Sequence, residues 1–357
     1  MTARRVPPLA LLALVATMFA GCASAPAARS PHGPPAPPAV RVTLPLVPDS
    51  VRFAVIGDSG TGGRRQYEVA ERLAEAHAQF AFTFTIMLGD NLYGSERPRD
   101  YARKFEVPYK PLLDAGVNFY ATLGNHDEPA QRMYGPFNMG GERYYTFTKG
   151  PVEFFVLDTT NLDPEQVDWL RRQLDESGAR WKIAYFHHPL YSSGRRHGPA
   201  TELRAILEPL FVEHGVSAVF AGHEHFYERI RPQKGITYFT AGGSGRLRAG
   251  DIRKTSQTAA GFDRDRSFML VEIAGDTLHF QAISRTGQTV DSGSLPRREP
   301  AGIGEAPNSA RRTPGRLAMP RAVARRQSPS LSSRRAAASA TVATSSCGST
   351  GFATCSR

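Results

Sequence analysis

Five short motifs rich in Asp, Asn and His occur in a fixed order, each after an apolar, β-rich run. In chain order they are Gly57-Asp58-Ser59-Gly60, Gly89-Asp90-Asn91-Leu92-Tyr93, Gly124-Asn125-His126-Asp127, His187-His188-Pro189 and Gly222-His223-Glu224-His225. The runs at residues 53–56, 84–88 and 218–221 show this arrangement most clearly. Open α/β sheets bind ligands in the loops that follow buried strands. We therefore expect the motifs to meet at one edge of an α/β domain.

The side chains in these motifs indicate the kind of ligand. Carboxylate and amide oxygens combined with imidazole nitrogens suit a pair of first-row metal cations, whereas a structural zinc site would favour thiolates. The three cysteines, Cys22, Cys347 and Cys355, all lie outside residues 51–295, which excludes thiol catalysis for that segment. The pattern predicts a two-metal hydrolase.

The N-terminal end predicts export. Residues 1–22 combine a charged start, an apolar stretch and Cys22, which is the pattern of a secretory signal. The apolar stretch is short for a membrane-spanning helix. Phe19-Ala20-Gly21-Cys22 resembles a bacterial lipobox, which predicts a lipid anchor on a protein of the bacterial cell envelope; periplasmic or secreted protein is the alternative. Residues 23–50 are rich in Ala and Pro and are predicted to form an extended linker.

The C-terminal end carries most of the positive charge. Residues 296–357 contain eleven Arg, no Lys and two acidic residues, without helical or strand periodicity, so we expect disorder. The two ends together carry +12 against a net charge of +11, which leaves −1 for residues 51–295. The high pI therefore belongs to the ends, and no specific nucleic-acid partner is expected.

Residues 51–295 have the length of one domain with a sizeable core. Helical spacing occurs at residues 66–79, 101–114, 163–177 and 201–214. Asp163 followed by Pro164 is a strong helix start, because Asp caps and Pro suits the first helical position. Further strands are predicted at 119–123, 144–147, 152–157, 182–186, 236–240, 268–273 and 277–283. This mixture predicts a layered α/β domain with two sheets packed back to back.

The five motifs, in this order and spacing, resemble those of the calcineurin-like metallophosphoesterase superfamily. Tyr93, three residues after Asp90, and the stretch from Ala221 to Arg229 are similar to its purple acid phosphatase branch. The single-domain layout and Arg196-His197-Gly198-Pro199 resemble the small, tartrate-resistant type of that branch. The resemblance covers about residues 51–290 and implies a four-layer α/β/β/α sandwich of two mixed sheets forming a single catalytic domain.

The resemblance also implies a role for each motif residue. Asp58, Tyr93 and His225 would hold iron(III), since a phenolate favours a hard trivalent ion. Asn125, His187 and His223 would hold a divalent ion of iron, zinc or manganese, and Asp90 would bridge both. His187 is favoured over His188 because the family ligand stands two residues before the proline. His126 and His197 would contact the phosphate and protonate the leaving oxygen.

The implied activity is hydrolysis of small phosphate monoesters by in-line attack of a metal-bound hydroxide. Two alternatives stay open at this point. A metallophosphodiesterase acting on cyclic nucleotides or other phosphodiesters would use the same metals. A non-catalytic surface lipoprotein would keep the fold, although all seven implied ligand positions are filled in this chain.

Overall fold

The computed structural model describes residues 38–300. The predicted signal peptide with Cys22, the first part of the predicted linker and the C-terminal tail beyond residue 300 lie outside the described residues. Between residues 38 and 300, no helix combines the length and the apolar character needed to cross a membrane.

Thirteen strands and five α-helices make up the described chain. The strands are β1 Val51–Ile56, β2 Phe84–Met87, β3 Asn118–Ala121, β4 Tyr145–Lys149, β5 Val152–Val156, β6 Trp181–Phe186, β7 Ala218–Ala221, β8 Tyr227–Ile230, β9 Thr237–Ala241, β10 Thr258–Phe262, β11 Ser267–Ala274, β12 Thr277–Ser284 and β13 Thr289–Pro296. The helices are α1 Arg64–Phe80, α2 Pro98–Tyr101, α3 Lys110–Asp114, α4 Pro164–Glu176 and α5 Thr201–Glu213.

These strands form two mixed sheets. The six-stranded sheet has the order β13-β12-β11-β1-β2-β3, and the seven-stranded sheet has the order β10-β8-β9-β7-β6-β5-β4. In the first sheet β1, β2 and β3 are parallel, whereas β11 runs antiparallel to β1. In the second, β5, β6, β7 and β9 are parallel. The prediction of two mixed sheets is confirmed.

Aromatic side chains fill the space between the two sheets. The ring of Phe53 on β1 lies 5.4 Å from that of Phe154 on β5 and 6.1 Å from that of Phe220 on β7. On the outer faces, α1 buries Leu73 against the first sheet and α5 buries Phe211 against the second. Strands that are apolar on both faces therefore lie under helices, and the layers follow the predicted α/β/β/α order.

The parallel strands bring the motif loops to one edge. Ile56 at the end of β1 pairs with Met87 at the end of β2, which pairs with Ala121 at the end of β3. Phe186 at the end of β6 pairs in the same way with Ala221 at the end of β7. The five motifs begin within a few residues of these strand ends.

Some predicted elements differ from the structure. The helix predicted at 101–114 is broken: a π-helical turn, Ala102–Glu106, follows α2, and α3 starts anew with Pro111 in its first turn. Proline suits a helix start because it lacks the N–H that a helix interior would need. Strands β8, β10 and β13 were not predicted. Only Leu295 is buried in β13, so that strand shows no apolar alternation.

The N-terminal boundary of the folded body also lies earlier than residue 51. Val40 and Leu44, which we predicted to lie in the linker, are buried against the α1 side of the first sheet. The backbone N–H groups of Leu46 and Val47 donate to the buried carboxylate of Glu272 at 2.8 and 2.6 Å. We call residues 40–50 the N-terminal strap. Because residues of the strap are buried in the core, the predicted linker boundary at residue 50 is wrong. The Pro-rich composition around Val40 and Leu44 gave no indication of their burial.

The strap offers a matched pair of leucines for a stability test. Leu44 is 8% exposed and Leu46 is 41% exposed. We expect Leu44→Ala to lower the free energy of unfolding by about 2 kcal/mol, because it removes buried methyl groups and leaves a cavity. Leu46→Ala should change it by less than about 0.5 kcal/mol. Urea denaturation of both variants measures the difference, and equal losses would contradict a strap that belongs to the core.

Candidate metal centre

Three motif residues have an unusual backbone conformation. Asp58, Asp90 and His223 adopt φ values of 53°, 51° and 67°, in the left-handed region that non-glycine residues rarely occupy. Such conformations cost free energy and concentrate at functional sites. They lie in three different motif loops, so the strain is a shared property of the edge where the loops meet.

A first cluster of side chains contains Asp58, Tyr93 and His225. The Tyr93 Oη atom lies 3.1 Å from Asp58 Oδ1 and 3.1 Å from His225 Nε2. His225 Nε2 is also 3.3 Å from Asp58 Oδ1. A ligand atom of Asp90 lies within 4.8 Å of those of Asp58 and His225, and all three residues are buried. Two carboxylates, a phenol and an imidazole therefore point at one small volume.

A second cluster contains Asn125, His187 and His223. Asn125 Oδ1 lies 3.0 Å from His187 Nε2 and 2.9 Å from His223 Nδ1, and these two nitrogens are 3.2 Å apart. His187 Nε2 is also 3.4 Å from Asp90 Oδ1, so Asp90 contacts both clusters. The structure thus brings all seven residues predicted as metal ligands together in two groups joined through Asp90.

Hydrogen bonding orients His187 within the second cluster. Its Nδ1 atom lies 2.8 Å from the backbone oxygen of Leu88, so Nδ1 carries the proton and Nε2 presents a lone pair. His188, which was not predicted as a ligand, also belongs to this group. The ligand nitrogens of His187, His188 and His223 lie within 4.8 Å of one another, while His188 Nδ1 contacts Thr159 Oγ1 at 3.0 Å.

The two predicted acid–base histidines lie at the rim of the clusters, and both are exposed. The ring of His126 lies 5.1 Å from that of Tyr93, and its backbone N–H donates to Asp90 Oδ1 at 2.9 Å. The ring of His197 lies 4.3 Å from that of His223. Each histidine thus flanks a different cluster and reaches solvent.

The electrostatics of the clusters fit bound cations. Burial, together with the Asp90 carboxylate, raises the pKa of Asp58 well above its ordinary value. Burial and the neighbouring imidazoles of His187 and His188 lower the pKa of His223 to about 2, and burial and Arg248 lower that of His225 to about 3.

Within residues 38–300, neither Asp58 nor Asp90 forms a salt bridge with Lys or Arg. Nearby positive charge would keep both carboxylates ionised, and neutral imidazoles are the form that binds a metal. The donor set therefore fits a pair of metal cations.

Asp127 holds two of the motif loops together, although no role was predicted for it. Its Oδ2 atom accepts hydrogen bonds from the N–H groups of Gly124 and Asn91 at 2.8 and 3.1 Å, and Oδ1 accepts one from Leu92 at 3.0 Å. Burial and the nearby Asp90 raise the pKa of Asp127 to about 7. Asp127 thereby fixes Asn125 and Asp90 relative to each other.

Glu224 has a similar role behind His223 and His225. It is buried, and its Oε1 atom accepts a hydrogen bond from the Gly198 N–H at 2.8 Å. Its Oε2 atom lies 3.5 Å from Arg248 Nη1, and burial raises its pKa to about 6. The loop with His197 is thereby held against the last motif. The only hint in the sequence was an acidic residue placed between two ligand positions.

Gly124 allows the close approach of two motif loops. A Cβ atom at this position would lie 2.2 Å from the Asp90 backbone nitrogen and 2.3 Å from Asp90 Oδ1. We expect Gly124→Ala to displace Asp90 and to lower the bound-metal content at least severalfold while far-UV circular dichroism stays unchanged. Gly135→Ala is the matched control, because no atom lies within 4 Å of the added methyl group. Metal analysis of both purified variants is the measurement; a Gly124→Ala protein with full metal content would contradict the described packing.

Comparison with known proteins assigns the segment that carries the five motifs to a family. Residues 51–227 match the family described as "Calcineurin-like phosphoesterase". The chain therefore contains a calcineurin-like metallophosphoesterase domain. Its relatives include tartrate-resistant acid phosphatase type 5 from Rattus norvegicus, 26% identical over 301 residues that cover 70% of this chain and 91% of that protein. The predicted recognition and the enzyme class, a phosphoric-ester hydrolase of the metallophosphoesterase family, are confirmed.

Solved structures support the fold assignment. A purple acid phosphatase from yellow lupin (Lupinus luteus) seeds aligns with a TM-score of 0.59 at 20% identity, covering 71% of this chain and 55% of that one. A Plasmodium protein described as "GAP50 the anchor in the inner membrane complex" aligns with a TM-score of 0.64 at 21% identity, covering 71% of this chain and 90% of that one. At these identities the likeness shows a shared fold alone.

Proposed function

We propose that this protein is a binuclear-metal phosphatase that hydrolyses phosphate monoesters at the edge described above. The observation that carries this proposal is the convergence of seven donor side chains in two clusters that share Asp90. Two bound cations would polarise the phosphoryl oxygens and lower the pKa of a bound water, which is the chemistry of two-metal hydrolases. The ester P–O bond breaks as the oxygen of a water that has lost a proton bonds to phosphorus, and the departing alkoxide takes up a proton to leave as the alcohol.

The donor types suggest how the metals are distributed. Asp58, Tyr93 and His225 would hold iron(III), because a phenolate and a carboxylate donate charge to a hard ion. Asn125, His187 and His223 would hold a divalent ion of iron, zinc or manganese, since an amide and two imidazoles add no negative charge. Asp90, which contacts both clusters, would bind both ions.

His126 and His197 would act on the substrate. Both are exposed at the rim, so a bound phosphate ester could contact them without displacing a metal ligand. We assign them to phosphate binding and to protonation of the leaving oxygen.

The phosphodiesterase alternative would use the same donor set, so substrate comparison has to separate the two activities. The non-catalytic alternative draws support from the fold shared with a protein described as an anchor. The complete donor set argues against it. We further propose export and lipid anchoring through Cys22, which rest on residues outside the described range.

Metal analysis combined with Tyr93→Phe tests the proposed function. We expect purified wild-type protein loaded with iron to contain about two metal ions per chain and to be coloured by phenolate-to-iron(III) charge transfer. It should hydrolyse a monoester such as 4-nitrophenyl phosphate much faster than the corresponding bis-ester. Tyr93→Phe should lose the colour and keep the melting temperature.

Three results would count against this assignment. Colourless, iron-free but fully active protein would refute the assignment of an iron(III) site. Faster hydrolysis of the bis-ester would favour the diesterase. A protein that binds no metal and hydrolyses neither ester would favour the non-catalytic alternative.

Leaving-group dependence tests the two rim histidines. We expect His126→Ala and His197→Ala to slow hydrolysis of an alkyl phosphate by about 100-fold, and that of 4-nitrophenyl phosphate much less, because a good leaving group needs little protonation. His214→Ala is the control, since this imidazole contacts Asp175 at 2.8 Å and lies outside the five motifs. Turnover of both substrates at matched metal content is measured. Equal losses on the two substrates would assign the histidines to phosphate positioning.

A further inference from the structure

An arginine-rich cleft opens beside the first metal cluster. It has a volume of about 500 Å³ and is bounded on one side by Tyr93 and Gly94. Its lining also includes four arginines from three parts of the chain: Arg64, Arg65, Arg246 and Arg266. We call this the arginine cleft. The net charge of −1 on residues 51–295 makes such a concentration of positive charge a local feature of the fold.

Arg246 connects the cleft to the candidate metal centre. Its backbone N–H donates to the backbone oxygen of Asp58 at 3.0 Å, and its guanidinium carbon lies 4.2 Å from the centre of the Tyr93 ring. Tyr93 is a member of the first cluster, so the Arg246 guanidinium packs directly on a side chain of that cluster. Stacking on an aromatic face orients a guanidinium group while leaving its N–H donors available.

Arg266 also lines the cleft and is half-buried. Its Nε–H donates to the backbone oxygen of Gly245 at 2.7 Å. Burial lowers the pKa of Arg266, and the nearby Arg65 and Arg285 act in the same direction while Asp265 opposes them. Among residues 38–300, neither Arg246 nor Arg266 forms a salt bridge with a carboxylate. A half-buried guanidinium without a carboxylate partner differs from an ordinary solvated surface arginine.

The carboxylates near the cleft form salt bridges with arginines other than Arg246 and Arg266. Glu68 pairs with Arg64, Arg65 and Arg285 at 3.3, 3.0 and 3.0 Å. Asp265 pairs with Arg285 at 2.8 Å. Two carboxylates thus face five guanidinium groups, and the excess positive charge lies at the cleft. The start of α1 adds to it, because its first N–H groups have no side-chain cap.

We propose that the arginine cleft is a second anion subsite, which binds one phosphoryl group of a small bis-phosphorylated substrate while the metal centre cleaves the other. Planar guanidinium groups match phosphate oxygens in pairs, which makes them suited to this ligand. The proposal rests on the proposed phosphatase function and narrows its substrate class. Arg246 and Arg266 are the principal ligands, and Arg64 and Arg65 add charge at the solvent side.

A spacer series tests the subsite. The substrates are 1,n-alkanediol bisphosphates of increasing chain length, each compared with the ω-hydroxyalkyl monophosphate of the same length. In both members of each pair the leaving group is a primary alkoxide of the same chain length that differs only in its distal substituent, phosphate or hydroxyl, so their kcat/KM ratio reports the effect of the second phosphate. A ratio of two is expected from the two equivalent phosphates alone. We expect roughly a tenfold further preference at one favoured length, the size of one charge-assisted hydrogen bond.

Variants of the cleft assign that preference to its arginines. Arg266→Gln and Arg246→Gln should bring the ratio back towards two, and Arg266→Lys should retain part of the preference. Arg264→Gln is the matched control, because Arg264 is exposed and lies two residues from Arg266 without lining the cleft. The preference should also fall as ionic strength rises. Melting temperatures of all variants show whether a loss reflects unfolding.

Calorimetric titration with an alkane-1,n-bisphosphonate and the matching alkylphosphonate gives a readout without turnover. Tighter binding of the bisphosphonate to wild type than to Arg266→Gln supports the subsite. A ratio near two at every length, or a preference unchanged in Arg246→Gln and Arg266→Gln, would overturn it even if monoesters are hydrolysed. Absence of hydrolysis on all monoesters would instead refute the proposed function, and the titration would still report on the cleft.

Discussion

The site depends on two buried carboxylates of like charge, Asp58 and Asp90, being held close together. Like charges in a region of low polarity repel strongly, and burial penalises each of them further. Within the described chain no Lys or Arg pairs with either carboxylate, and the imidazoles of His225 and His187 lie at 3.3 and 3.4 Å. The fold keeps the two together by placing each after a parallel strand of the same sheet and by turning each through a left-handed backbone conformation. The close loop contacts at Gly124 and the hydrogen bonds to Asp127 maintain that arrangement.

The architecture could largely be predicted from the sequence. Apolar runs before each motif located β1, β2, β6 and β7, and the Asp163-Pro164 pair located α4, whose first turn is capped by Asp163. The edge strands β10 and β13 were not predicted. β10 and β13 carry mostly half-exposed or exposed residues, so neither shows the apolar alternation by which a strand is recognised. The strap was not predicted because residues 23–50 are rich in Ala and Pro overall, and the two apolar residues Val40 and Leu44 do not stand out in that composition.

In the candidate site too, residues in short local motifs could be predicted from the sequence, whereas contacts between residues far apart in the chain could not. The seven residues predicted as metal ligands could be picked out from the sequence because each lies beside a glycine, a proline or a strand end in its own short motif. The supporting contacts join residues far apart in the chain: Glu224 bonds the backbone of Gly198, and Arg246 bonds that of Asp58. The arginine cleft is assembled from the start of α1 and the segments that follow β9 and β10. No pattern within any one of these segments indicates the others.

The direction of the strap has a consequence for how the domain is attached to whatever precedes it. The strap contacts Gln281 through Thr43 and Glu272 through Leu46, so it runs along the first sheet antiparallel to β1. Pro38 lies next to Gly287, in the turn after β12, at the same end of the sheet as the motif loops. A chain segment joined at Pro38 would leave from the edge that carries the motif loops, whereas one joined directly to Val51 would leave from the opposite edge. The strap therefore brings the first described residue to the same edge of the domain as the candidate metal centre.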